Sequence, residues 1–168
     1  MKGFVADIED RTLGNADFRR VLYTGQNLQL VVMTLQPGEE IGVEVHEDRD
    51  QFFRFEEGEG EVLIDGKTHK VEDDFGVIVP AGARHNVRNT GDEPLKLYTL
   101  YGPPEHKDGV VHKNKAQAEA DHDNDHFDGK TTEEPRTGQE PAVPNGRSAA
   151  LKESVRCRTR SDGRPPPR

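Results

Sequence analysis

Between Arg20 and Tyr101 the chain is a succession of short strand-forming runs, each closed by a turn signal. No other feature narrows the possible folds as much. The runs are RVLYT, LQLVVMTL, QFFRF, EVLI, GVIVP and LKLYTLY, rich in Val, Ile, Leu, Phe, Tyr and Thr. Such residues suit a pleated, half-buried surface. The breaks between them are TGQN, QPGEE, EEGEG, DGK, PAGA and TGDEP. Asp65-Gly66, between EVLI and THKV, is a tight-hairpin signal. Many short strands at regular spacing read as a β-sandwich or barrel.

The pattern stops after Gly102-Pro103-Pro104. The barrel is therefore expected to span residues 1–104, followed by a polar extension over 105–134. Within it KNKAQAEAD, residues 113–121, is Ala-, Lys- and Glu-rich and is expected to form a short helix. That helix has almost no apolar face and would be marginal unless docked on the barrel. Residues 135–168 contain six of the 11 prolines and are read as a disordered tail. The tail has eight Lys or Arg against three acids, on a chain whose net charge is −9. An acidic body argues against nucleic acid as a partner. Apolar residues make up 31% of the chain and charged ones 33%, too polar for one core along the whole length.

Cys157 is the single cysteine, so no disulfide framework forms within one chain. It has no His near it in sequence and is not read as a nucleophile. The N-terminus, MKGFVADIED, carries acids where a signal peptide needs an apolar run. No stretch reaches membrane-spanning length. A cytoplasmic location with no membrane partner is the expectation.

Two segments carry the chemistry. In GEEIGVEVHEDRDQFFRFEEG, residues 38–58, Glu44 and His46 are two apart and would share one face of a strand. The turn EDRD follows, and Gln51 opens the next run. In DFGVIVPAGARHNVRN, residues 74–89, the strand GVIV meets Pro80 and Gly82, and His85 opens the returning strand. Laid side by side in one barrel, these hairpins would bring Glu44, His46, Gln51 and His85 together.

Those residues resemble the two motifs of the cupins. The first family motif is Gly, five residues, His-x-His, three or four residues, Glu, six residues, Gly. Here Gly38, Glu44, His46, Gln51 and Gly58 keep every spacing, with Glu in place of the first His and Gln in place of the Glu. The second motif is Gly, five residues, Pro-x-Gly, two residues, His, three residues, Asn. It reads here Asp74, Pro80, Gly82, His85 and Asn89. The resemblance covers roughly Asp17 to Tyr101.

The resemblance implies an all-β jelly-roll barrel and a divalent metal, manganese, iron, nickel or zinc. Carried over by position, its ligands would be Glu44, His46, Gln51 and His85. The set keeps one carboxylate, moved from the fourth position to the first. Carboxylate, amide oxygen and imidazole all suit first-row metals. Asp50 is a substitute ligand if the turn shifts. Glu44 and Asp50 are the candidate catalytic bases where they do not bind metal. By resemblance the activity would be that of a metal-dependent enzyme on a sugar-like metabolite, of the mannose-6-phosphate isomerase type. The alternatives are a non-catalytic small-molecule-binding barrel or a cupin dioxygenase. The resemblance also implies a homodimer, with Phe4, Val5 and Ile8 in an exchanged edge segment.

Each of these residues also has a plainer reading. His46 and His85 would be hydrogen-bonded barrel histidines, Glu44 an exposed strand carboxylate, and Gln51 an amide bonded to the turn. Asp50 would bond its own backbone. Phe52, Phe53 and Phe55 read as core, and Arg84 as a rim charge. His122 and His126, four apart, read as solvated. His69, His106 and His112 carry no readable signal.

Overall fold

A computed structural model describes residues 3–133. The tail expected over 135–168, with Cys157, lies outside the described residues. A short helix, α1 (Ile8–Leu13), precedes β1 (Arg19–Thr24), β2 (Gln29–Leu35), β3 (Asp50–Glu57), β4 (Gly60–Ile64) and β5 (Lys67–Val71). Then follow β6 (Gly76–Val79), β7 (His85–Asn89), β8 (Leu95–Gly102), β9 (Val111–His112) and α2 (Lys115–Asp121). Two antiparallel sheets result, in the orders β6-β3-β8-β2-β1-β9 and β5-β4-β7. The barrel class expected from the strand pattern is the one observed.

The hairpin expected at Asp65-Gly66 joins β4 to β5, with φ of 45° and 81° at its two central residues. Positive φ at both positions is what a two-residue turn between twisted strands needs. Asp74, at the position of the family's glycine, also holds positive φ, at 70°. Its carboxylate pairs with Arg54.

Side-chain alternation builds the interior. The inward rows read Gln51, Phe53, Phe55 on β3 and Leu95, Leu97, Thr99, Tyr101 on β8, all buried. Their register pairs Phe55 with Leu97, Phe53 with Thr99, and Gln51 with Tyr101. On the other side of β8, Met33, Val31 and Gln29 oppose Leu97, Thr99 and Tyr101. The smaller sheet contributes Val62, Val71 and Val87 to the same core. The interior is thus apolar at one end and polar at the other. A buried polar end must be hydrogen-bonded internally, and that end holds the candidate site.

β2 is buried on both faces. Its outward Val32 and Thr34 are covered by α1 and the turn behind it, where Asn15 Nδ2 donates to Thr34 Oγ1 at 3.0 Å. Ile8, expected in an edge segment, instead opens a helix capped by the Asp7 carboxylate. Asp7 is an N-cap because its oxygen satisfies an otherwise unpaired helical N–H.

The extension after Pro104 docks on the barrel. β9 pairs with β1, extending the larger sheet. α2, expected over 113–121, forms at Lys115–Asp121, capped by Asn114. The buried Gln29 amide holds the incoming chain at both backbone groups of His106. It donates to the His106 carbonyl at 2.6 Å and accepts from its N–H at 2.9 Å.

Gly58 sits where β3 turns into β4, with φ of 93°. A Cβ there would lie 2.7 Å from the Pro94 carbonyl oxygen and 2.9 Å from Leu95 Cα. Gly58→Ala is therefore expected to cost roughly 2–4 kcal/mol, read as a lower urea midpoint. An unchanged midpoint would show that this turn relaxes freely.

Candidate metal centre

The segment between β2 and β3 runs beside β7. Ile41 N donates to Val87 O at 2.9 Å, Glu44 and His85 exchange both backbone bonds at 2.9 and 3.0 Å, and Gly82 N donates to His46 O at 2.8 Å. Residues directly opposite in an antiparallel pair project to the same side. Glu44 and His85 therefore point inward together, and His46, two residues on, joins them. One donor atom from each of Glu44, His46 and His85 lies within 4.8 Å of the others. Gln51 arrives from the opposite sheet, its Oε1 3.0 Å from His85 Nε2. All four residues singled out in the sequence meet at one place.

The histidines are held by their outer nitrogens. His85 Nδ1 lies 3.0 Å from the Ala83 carbonyl, which can only accept. That fixes the proton on Nδ1. Burial pushes the His85 pKa down, and the Ala83 bond and the Glu44 charge only partly restore it, so the ring is neutral. Its Nε2 is then a lone pair facing Gln51 Oε1, another acceptor. The contact is satisfied if the amide turns its N–H toward His85, or if a cation lies against both acceptors. His46 Nδ1 is 3.5 Å from Glu105 Oε2. Its Nε2, 3.4 Å from Glu44 Oε2, is buried with no hydrogen-bond partner. Burial pushes the Glu44 carboxyl up, but His46 and the Arg19 guanidinium more than reverse this, and its pKa ends below the ordinary value.

These observations fit a divalent cation. Metal bonds of about 2.0–2.2 Å to nitrogen and oxygen need donors a few ångströms apart, with lone pairs converging. An ionised carboxylate, one neutral imidazole with a free Nε2, a second imidazole with an unbonded Nε2 and an amide oxygen meet that need. Their outer atoms are anchored by Ala83, Glu105 and Thr99, the last accepting from Gln51 Nε2 at 3.0 Å.

Asp50 lies apart. It is exposed, and its Oδ1 accepts from Ala81 N at 2.9 Å, bracing the Pro80–Gly82 turn. Phe53 and Phe55 are core, whereas Phe52 is only partly buried. Arg84 and His69 face solvent.

The cluster opens into a cavity of about 350 Å³, part of whose wall comes from residues the sequence did not single out. They are Arg19 on β1, Tyr101 on β8, and Glu105, His106 and Asp125 of the extension. Glu105 Oε2 binds Arg49 Nη1 at 2.5 Å, and Glu105 Oε1 lies 3.2 Å from His126 Nδ1. Asp125 Oδ2 is 3.0 Å from His106 Nδ1 and 3.5 Å from Arg19 Nη1. His122 and His126, expected to be solvated, stack edge-on at 5.5 Å beside the cavity, with the His126 side chain 56% exposed. Burial pushes the Tyr101 phenol well above its ordinary pKa, so it keeps its proton. His112, also without a readable signal, is buried and reaches Asp121 at 3.3 Å.

Fold and site together define a cupin. The chain belongs to the cupin domain family, whose model matches residues 31–101. It is 47% identical over 128 residues to the Bacillus subtilis protein YrkC, covering 73% of this chain and 69% of that protein. A crystal structure from Bacillus halodurans is 49% identical, with a TM-score of 0.70, covering 71% of this chain and 95% of that one. A stretch of 73 residues is 32% identical to Escherichia coli mannose-1-phosphate guanylyltransferase, covering 44% of this chain but only 15% of that enzyme. No helix among the described residues is long and apolar enough to cross a membrane.

Burial holds the His106 pKa below 6.5 despite its bond to Asp125, and Asp125 itself sits below 3.8. Burial raises Asp125, but its bond to His106 and the charge of Arg19 outweigh that. Both pKa values are lower folded than unfolded. Each contribution is therefore complete above the unfolded value and lost as pH falls. In chelator-treated protein the melting temperature is expected to fall as pH drops below 6.5, where His106 and His85 take up protons in the unfolded chain before they do in the folded one. His106→Gln should reduce that slope, leaving the part that comes from His85. An identical slope in the variant would remove His106 as a cause.

Proposed function

We propose that this chain is a metal-dependent enzyme acting on a small, polar, sugar-like metabolite bound in the cavity beside Glu44, His46, Gln51 and His85. The observation that carries the reading is the convergence of donor atoms of Glu44, His46 and His85 within 4.8 Å of one another, with His46 Nε2 buried, 3.4 Å from Glu44 Oε2 and without a hydrogen bond of good geometry. Leaving such an atom unpaired costs about 1–3 kcal/mol, and a cation bound there would remove that cost.

When bound, a divalent metal supplies Lewis acidity, polarising a carbonyl or hydroxyl oxygen. The chain's own residues do the rest. Glu44, His46, Gln51 and His85 hold the cation, while the Ala83 carbonyl, Glu105 and Thr99 orient three of those four. Tyr101, kept protonated by burial, packs its ring against His46 and His106 on the cavity wall. On that wall Arg19 lies between Glu44 and Asp125, and Glu105 is paired with Arg49. A wall of carboxylates, imidazoles and one guanidinium suits a small polyhydroxy compound. The partial likeness to a sugar-nucleotide enzyme supports a sugar-like substrate, and the isomerase type is the reaction proposed. A second copy of the chain, as a homodimer, is the proposed partner.

Metal analysis by mass spectrometry on untagged protein tests this. About one equivalent of manganese, iron, nickel or zinc is expected, falling at least tenfold in His85→Ala with the fold retained. Aldose–ketose interconversion would then be screened with that metal. Protein that stays metal-free after incubation with all four ions would refute the metal reading. A metal-loaded protein inert to every sugar would refute the isomerase.

A further inference from the structure

The family's first histidine is replaced here by Glu44, and this carboxylate has a cation beside it. Arg19 is 6% exposed and lies between two carboxylates, its Nη2 3.9 Å from Glu44 Oε1 and its Nη1 3.5 Å from Asp125 Oδ2. Neither separation is a close ion pair, and Arg19 Nε is buried without a hydrogen-bond partner. The guanidinium is shared rather than committed.

Asp125 is placed firmly. It is 3% exposed, its Oδ2 is 3.0 Å from His106 Nδ1, its carbonyl accepts from Lys107 N at 2.6 Å, and His106 and His126 flank it in an isolated β-bridge. The extension thus carries a fixed negative charge to the far side of Arg19.

Charge attraction rises steeply as separation shrinks in a poorly solvated site. Without Asp125, Arg19 would have Glu44 as its remaining carboxylate partner among those described. Closing from 3.9 Å to a bidentate contact near 2.8 Å would occupy the oxygens a cation needs. We propose that Asp125 is a positioning residue that, by holding Arg19, keeps the Glu44 carboxylate available to a divalent cation. This rests on the metal reading above. It also explains how a site with carboxylate in place of imidazole tolerates a buried arginine beside it: the arginine is balanced from behind.

The test is a double-mutant cycle on Mn²⁺ affinity by titration calorimetry of the full chain. Asp125→Asn is expected to weaken Mn²⁺ binding about tenfold, the scale of lost outer-shell support. Arg19→Met should bind at least as tightly as wild type. Adding Asp125→Asn to Arg19→Met should then change nothing, because Asp125 acts only through Arg19. An equal loss in both backgrounds would mean Asp125 acts by plain through-space charge, and no loss in either would mean it does not act; both overturn the proposal. If Arg19→Met does not fold, a crystal structure of Asp125→Asn decides: Arg19 moved onto Glu44 supports the proposal, and an unchanged separation overturns it. Wild-type protein that binds no Mn²⁺, or binds it equally well as Glu44→Ala, would refute the metal reading itself.

Discussion

The register of β3 and β2 against β8 is the constraint on which the site depends. Because side chains alternate along a strand, one register places Phe55, Leu97 and Met33 at one level of the interior and Gln51, Tyr101 and Gln29 at another. The apolar level supplies the burial that holds the sheets together. The polar level can exist only because each amide there finds partners. Gln51 donates to Thr99 and faces His85, and Gln29 donates to Thr24 and the His106 carbonyl. A slip of one residue would send this whole set outward.

From that polar level two consequences follow. Gln51 faces the strand that carries His85, so the two sheets meet at the donor cluster. Gln29 captures the chain after β8, and that capture brings Glu105, His106 and Asp125 to the cavity. The same row of buried amides thus supports both the clustered donor residues and the residues standing behind them. Outer contacts of this kind fix imidazole orientation and tune a metal site, and here part of them comes from beyond the family's matched region, residues 31–101.

The extension stands behind a cluster that departs from the family motif at two positions, Glu44 and Gln51. A glutamate at the first position brings a charge that an imidazole would not. The surroundings answer with Arg19 and, behind it, Asp125, so the buried charges alternate in sign. Buried ions are tolerated best when opposite charges lie beside them, and here Arg19 has a carboxylate on each side without closing over Glu44.

Much was legible in the sequence because it rested on local rules. Strand runs, the Asp65-Gly66 turn and the spacing of Glu44, His46, Gln51 and His85 are properties of short segments, and the barrel and the meeting of those four followed from them. Asp74, at the position of the family's glycine, holds positive φ. What the sequence did not reveal lies where no period or motif exists. Arg19 sits in an ordinary strand, and Glu105, His106 and Asp125 sit in a polar stretch whose apolar content is too low to signal burial. Their placement was decided by tertiary contacts: the pairing of β9 with β1, the Gln29 amide on the His106 backbone, and the ion pairing of Arg19 with Asp125. Such long-range contacts join residues distant in sequence, as Arg19 and Asp125 are, and no local pattern encodes them. The sequence by itself determined the barrel and the spacing that brings Glu44, His46, Gln51 and His85 together; the folded chain alone decided what stands behind them, because only closure of the barrel brings the extension to the site.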